Sequence, residues 1–236
     1  MKTYLYSILL IMAIASCTTE LQEKKEKNID FRTISGTDQE QIVSQIKSLY
    51  NKKMIKYDKM YFYDPGFNTS FIAVTQPSEE EAASDGCSVS LFIFKRKNEK
   101  WRLTDKFINL GQYGKYGNCD FEKNYLSFYT NGKNMWGYAS SGWVGHQGFS
   151  NEYISLFTIE KGKIHFSEDI TVMDSNAGNY FEDDNEYTDW ESDYFFDVDD
   201  NIHFIVQKEG VKMGKNYSKF EDYVLSGNEF ILKTQD

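Results

Sequence analysis

The sequence predicts a mainly β fold built from antiparallel hairpins, with one amphipathic helix on its N-terminal side. Three observations predict it. From about Tyr61 onward, aromatic and β-branched runs alternate with short turn segments, as half-buried strands do. The triplet Ser90-Leu91-Phe92 returns as Ser155-Leu156-Phe157, each followed by a charged turn and a resumed strand from Trp101 or Ile164. Ahead of these, the stretch after Thr37 carries apolar residues at helical spacing. The chain of 236 residues is 17% aromatic with only two prolines, so it can bury a sizeable core and is not disordered overall.

The helix is specified by its ends as well as its face. Thr37-Asp38-Gln39-Glu40 matches a capping box, with Thr37 as N-cap and Glu40 reaching back. Ile42, Ile46, Leu49, Tyr50, Met54 and Tyr57 then fall on one face. Lys52, Lys53 and Lys56 sit in the last turn, where they complement the helix dipole. The spacing predicts a helix over 38–57, packed on the body.

Each later unit begins with a hairpin. Tyr61–Tyr63 turns through Asp64-Pro65-Gly66 into Phe71–Val74. Tyr125–Tyr129 turns through Asn131-Gly132-Lys133 into Met135–Tyr138, and Tyr194–Val198 through Asp199-Asp200-Asn201 into Ile202–Val206. A second hairpin follows in each, turning at Lys97–Lys100, at Lys161–Lys163 and at Ser226–Asn228. Equivalent turns recur roughly 65 residues apart, a period that marks repeated β-units. The prediction is three four-stranded antiparallel units, at about 60–108, 124–173 and 193–234. Such a unit resembles a propeller blade. Three fall short of the four to eight of an ordinary closed propeller. An irregular propeller-like ring or a sandwich is therefore expected.

The N-terminus has a different character. Lys2 precedes a short apolar run from Tyr4 to Ala15, with Leu5, Ile8, Leu9, Leu10, Ile11, Met12 and Ile14. That is below the ~20 residues needed to span a bilayer, so it reads as an export signal. It ends in Ile14-Ala15-Ser16-Cys17, an aliphatic residue, two small ones and a cysteine. This resembles the lipobox of bacterial lipoproteins. The resemblance covers the first 17 residues. It implies a signal peptide over 1–16, cleavage before Cys17, a diacylglycerol on the Cys17 thiol and acylation of the new N-terminus. Several acyl chains, at ~0.8 kcal/mol per buried methylene, hold a protein to a membrane permanently. Thr18 follows the cysteine. By the same resemblance, a residue other than Asp there implies the outer membrane of a Gram-negative envelope, facing the periplasm or the surface. Residues 17–36 then form the lipidated cysteine and a charged, flexible tether. The remainder, 37–236, is read as one helix-plus-β domain.

Lipidation of Cys17 leaves Cys87 and Cys119 as a pair. In an oxidising exported compartment they are expected to form a disulfide. The alternative, a metal site, lacks a CxxC or a histidine pair.

The net charge of −10 argues against nucleic acid or an anionic membrane surface as partner, and for a basic one. The charge concentrates between Glu182 and Asp200, where ten carboxylates stand without a Lys or Arg. Asp183, Asp184, Asp189 and Asp193 are candidate contacts for a basic protein partner, since clustered charge steers association. Asp197, Asp199 and Asn201 alternate as calcium ligands often do, and faintly resemble the metal loops of integrin-like blades. Ile202 stands where that loop needs a glycine, and no Glu closes the site. A solvated acidic loop with an Asp-Asp-Asn turn explains the same residues. Calcium is the one cofactor weighed, and no other is expected.

The stretch Gly137–Phe149, with Gly111–Gly117, offers aromatics on a glycine-rich backbone. Tyr138, Trp143 and His146 are candidate residues for stacking on a ligand such as a glycan. The same stretch also reads as a glycine-rich connection whose Trp143 and Phe149 close the core. Catalytic signals are absent. Of the three histidines, His165 and His203 fall inside strand patterns as outward-facing residues and His146, in a loop, has no evident companion nucleophile; there is no G-x-S-x-G, H-E-x-x-H or P-loop. The chain is read as a lipid-anchored, non-enzymatic envelope binding protein of inhibitor or immunity type, directed at a basic protein. The alternative is a surface module for glycan or calcium.

Overall fold

The structure, a computed structural model, describes residues 35–53, 56–66, 68–77, 86–107, 110–114, 118–144 and 148–233. Cys17, its lipobox and the tether up to residue 34 lie outside the described residues, as does His146.

Helix α1 runs Gly36–Lys53. It starts earlier than the capping box predicts. The Ser35 hydroxyl accepts the Asp38 N–H at 3.4 Å, so Ser35 takes the N-cap place assigned to Thr37. Asp38 then lies in the first turn, favourable for the dipole, and pairs with Arg96 at 3.6 Å. Ile42 and Ile46 are fully buried and Tyr50 nearly so. Lys56 and Tyr57, placed in the last turn by the sequence, lie past the helix, although Tyr57 still packs edge-on against Tyr50 at 5.5 Å.

Beneath α1 lies a first antiparallel sheet: β1 Met60–Gly66, β2 Thr69–Pro77, β3 Cys87–Lys97 and β4 Lys100–Phe107, in that order. The short β5, Gln112–Tyr113, adds to β3. The runs Phe71–Val74 and Leu91–Phe94 are apolar without alternation because both faces of this sheet are covered. Ile72, Val74, Phe92, Phe94 and Trp101 meet the helix. Phe71, Ala73, Leu91 and Ile93 meet the second sheet. The turn predicted at Asp64–Gly66 falls two residues later. Asp64 and Gly66 stay in β1, where the Asp64 carboxylate caps the Gly66 N–H at 3.0 Å and the register shifts.

The second sheet is a single meander of eight strands. These are β6 Leu126–Thr130, β7 Met135–Val144, β8 Ser150–Glu160, β9 Lys163–Ser175, β10 Asp189–Val198, β11 Ile202–Lys212, β12 Lys215–Ser226 and β13 Glu229–Leu232. The second and third predicted units are therefore not separate blades. β9 and β10 pair through Asp189↔Ser175, Trp190↔Asp174 and Glu191↔Met173, and this short ladder makes them one sheet.

The sheet curls. Laid flat, β6 and β10 would lie about 19 Å apart at ~4.8 Å per strand. Instead the Tyr129 and Phe196 rings touch, centroids 4.9 Å apart. Trp136, Ile154, Leu156, Ile170, Val172, Phe204 and Val206 line the concave side with Phe196. At the far edge β13 folds back on the bulge in β9, where the Phe230 N–H donates to the Ser167 hydroxyl at 2.8 Å. Thr158 also donates to the Asn228 carbonyl at 2.6 Å. β6 and β13 do not pair, so the roll is not a closed barrel. Its first strands pack on the first sheet, with Phe71 stacked on Phe128 at 4.5 Å.

Cys87 and Cys119 form the expected disulfide, Cα atoms 4.9 Å apart. It ties residues 118–125 to the start of β3. Among the described residues no helix is long and apolar enough to cross a membrane.

Candidate functional site

The acidic segment divides into a loop and a strand. Residues 182–188 form turns whose own groups satisfy one another: the Asp184 carboxylate accepts the Phe181 N–H at 2.9 Å, and Asp183 is exposed. The loop rests on the β11–β12 turn, where the Gly214 N–H donates to the Tyr187 carbonyl at 2.8 Å. β10 then alternates. Trp190, Tyr194 and Phe196 turn inward, while Asp189, Glu191, Asp193, Phe195 and Asp197 are exposed on the other face. Opposite them on β11 stand Val211, Glu209, Gln207, Ile205 and His203. Phe195 and Phe220 are each 48% exposed, and Phe220 faces Gln207 from β12. The outer face of β10–β12 is therefore carboxylate-rich with two uncovered aromatic rings.

The Asp197–Asn201 group behaves as a hairpin turn. Asp199 accepts the Asn201 N–H at 2.7 Å, which holds its carboxyl below the ordinary Asp range. Asp197 stands on β10 opposite His203, whose Nδ1 is 2.8 Å from the Asp222 carboxylate. Among the described residues no group of three or more His, Cys, Asp or Glu converges as a metal site would.

The glycine-rich stretch is mostly not a loop. Gly137–Val144 is interior strand β7, paired with β6 at one end and with β8 throughout. Gly137 is there because a Cβ would lie 2.0 Å from the Ser127 carbonyl oxygen and 2.6 Å from the Phe157 ring. Trp143 pairs with Asn151 through its backbone, and its side chain lies outside the described residues. Phe149 does not close the core but is exposed. Tyr113, expected on an open glycine-rich loop, is 2% exposed.

Tyr138 belongs to a cleft of about 450 Å³ at one mouth of the roll. Its walls carry four tyrosines. Tyr138 and Tyr194 meet edge-on at 5.7 Å, and Tyr113 stacks on Tyr125 at 5.6 Å. Asp120 and Glu152 add carboxylates, and Ser140 and Ser141 add hydroxyls. Burial raises the Tyr113 phenol, and neighbouring Tyr125, Asp120 and Asp169 raise it further. Burial, Tyr138 and Glu152 push Tyr194 up to about 12. Burial and the carboxylates of Asp120, Glu122 and Glu152 raise Tyr125. These phenols stay protonated at neutral pH. Sequence reasoning found Tyr138 alone among them. Tyr113, Asp120, Tyr125, Glu152 and Tyr194 come from four separate segments, and no spacing in the chain announces that they meet.

Compared with known protein families, curated proteins and solved structures, the chain finds no match in any of the three.

Proposed function

We propose that this chain is a lipid-anchored, non-enzymatic binding protein of the cell envelope, held through Cys17, that captures a basic protein partner on the outer face of β10–β12. One observation carries the reading. β10 presents Asp189, Glu191, Asp193 and Asp197 in strict alternation on one face, with exposed Phe195 and Phe220 among them. Carboxylates steer a basic partner and fix its orientation, while exposed aromatic rings supply the contact area that survives salt. Asp183 and Asp184 extend the charge past the Asp189 end of the strand. The three four-stranded runs are read as diverged copies of one hairpin unit, two of them fused into the roll.

The test is affinity capture from envelope extract with residues 36–236 as bait, with and without a calcium chelator. A quadruple Asp183→Asn, Asp184→Asn, Asp189→Asn, Asp193→Asn bait runs in parallel. A stoichiometric basic protein held by the wild type in chelator and lost with the quadruple variant is the expected result. Equal capture by both baits sinks the acidic face.

A further inference from the structure

We propose that the tyrosine cleft is a second binding site, separate from the acidic outer face, for an organic cation bearing N–H groups such as a primary alkylammonium. Three properties of the cleft converge on that chemistry. Its described lining holds two carboxylates, Asp120 and Glu152, and no Lys or Arg, so its charge is uncompensated. Its walls are tyrosine rings, whose faces are negative and attract a cation. The third property is a hydroxyl without a partner. Tyr113 lines the cleft, is 2% exposed, and its phenol oxygen has no hydrogen-bond partner among the described residues. The phenol end lies near Ser141, another lining residue: a Cβ placed on Gly111 would be 3.6 Å from Tyr113 Cζ and 3.3 Å from Ser141 Cβ. A buried polar group left unpaired costs about 1–3 kcal/mol, and proteins carry few of them.

An alkylammonium satisfies all three properties together. Its charge sits between the carboxylates, its methylene groups lie on the rings, and an N–H donates to the Tyr113 oxygen. A neutral sugar would leave both carboxylates unbalanced. A bare divalent ion would want more carboxylates than two, and among the described residues no set of three converges. The volume of about 450 Å³ suits a small ligand.

The experiment is calorimetric titration of the full-length protein in detergent with n-butylammonium chloride, and with 1-butanol as its uncharged counterpart. Saturable binding of the amine below about 10 mM, with none of the alcohol, is expected. Tyr113→Phe should weaken amine binding about tenfold while leaving the unfolding temperature of the free protein equal or higher, because it deletes an unpaired buried hydroxyl. Glu152→Gln, at an exposed position, should weaken the amine without touching the fold. Equal binding of amine and alcohol overturns the proposal. So does the absence of saturation, unchanged binding in either variant, or a lower unfolding temperature in Tyr113→Phe, which would mark the hydroxyl as structural.

Discussion

Glu221 is where a single residue decides most. It faces the concave side of β12, 5% exposed, and meets the Lys208 ammonium at 2.8 Å and that of Lys219 at 2.7 Å. The Tyr223 hydroxyl donates to it at 3.0 Å, and Lys208 also lies over the Trp190 ring at 5.3 Å. Burial alone would raise its carboxyl. The hydrogen bonds from Lys208 and Lys219 outweigh burial and hold it below the ordinary Glu value. A depressed carboxyl stabilises the fold above its unfolded pKa, about 4.3, and that contribution is lost as pH falls through the lower folded value. Glu221→Gln should cost about 3–5 kcal/mol near neutral pH, because Lys208 is left buried without its counter-charge. It should also flatten the loss of stability below about pH 4. Replacing both partners, as Lys208→Met with Glu221→Leu, should cost less than Glu221→Gln alone. Urea unfolding of the three proteins at pH 7 and pH 3.5 checks each expectation. Nothing in the sequence singles this residue out. Lys208 and Glu221 sit in alternating strands that read as ordinary half-exposed hairpins. Which face each takes depends on the direction in which the sheet curls.

One side of the tyrosine cleft is carried by residues 110–114 and 118–125. The Cys87–Cys119 disulfide pins 118–125 to β3, while the Tyr61 hydroxyl donates to the Phe121 carbonyl at 2.8 Å and Tyr63 to that of Lys123 at 3.0 Å. Closing a loop of this length contributes about 3–4 kcal/mol in the chain-entropy picture. Cys87→Ala with Cys119→Ala should therefore lower stability by about that amount, and should weaken butylammonium binding because Asp120 and Tyr125 follow Cys119 and Tyr113 pairs with Cys87. Thermal unfolding and the calorimetric titration together check both halves. This disulfide was legible, since counting cysteines after Cys17 leaves one pair. Helix α1 was legible from its apolar face, and five of the six predicted hairpin turns stand where turn chemistry put them. β7 was not legible. Gly137, Ser140, Ser141 and Gly142 look like a loop because small residues are usually found in loops. Here Gly137 is demanded by the Phe157 ring and the Ser127 carbonyl pressing on the strand. The N-cap slipped because Ser35 and Thr37 are both good caps and stand two residues apart, so residue type alone does not choose between them.

At the scale of the molecule, the roll rests on aromatic contacts between strands far apart in the sheet. Phe196 touches Tyr129 on β6, Phe204 on β11 and Phe230 on β13, with centroids at 4.9, 4.9 and 5.8 Å. One ring thus bridges both arms of the curl. The first sheet is bound through Phe71 and Phe128 to the opposite face of the same strands, so the two cores lie back to back across β6–β8. Phe196→Ala should remove about 3–5 kcal/mol, the range for a buried Phe truncated in a packed core. The loss should not be confined to β10–β13. Because the two cores share strands β7 and β8, far-UV and near-UV circular dichroism should still melt together in the variant. Melting of one signal ahead of the other would show an intermediate and overturn the single cooperative unit.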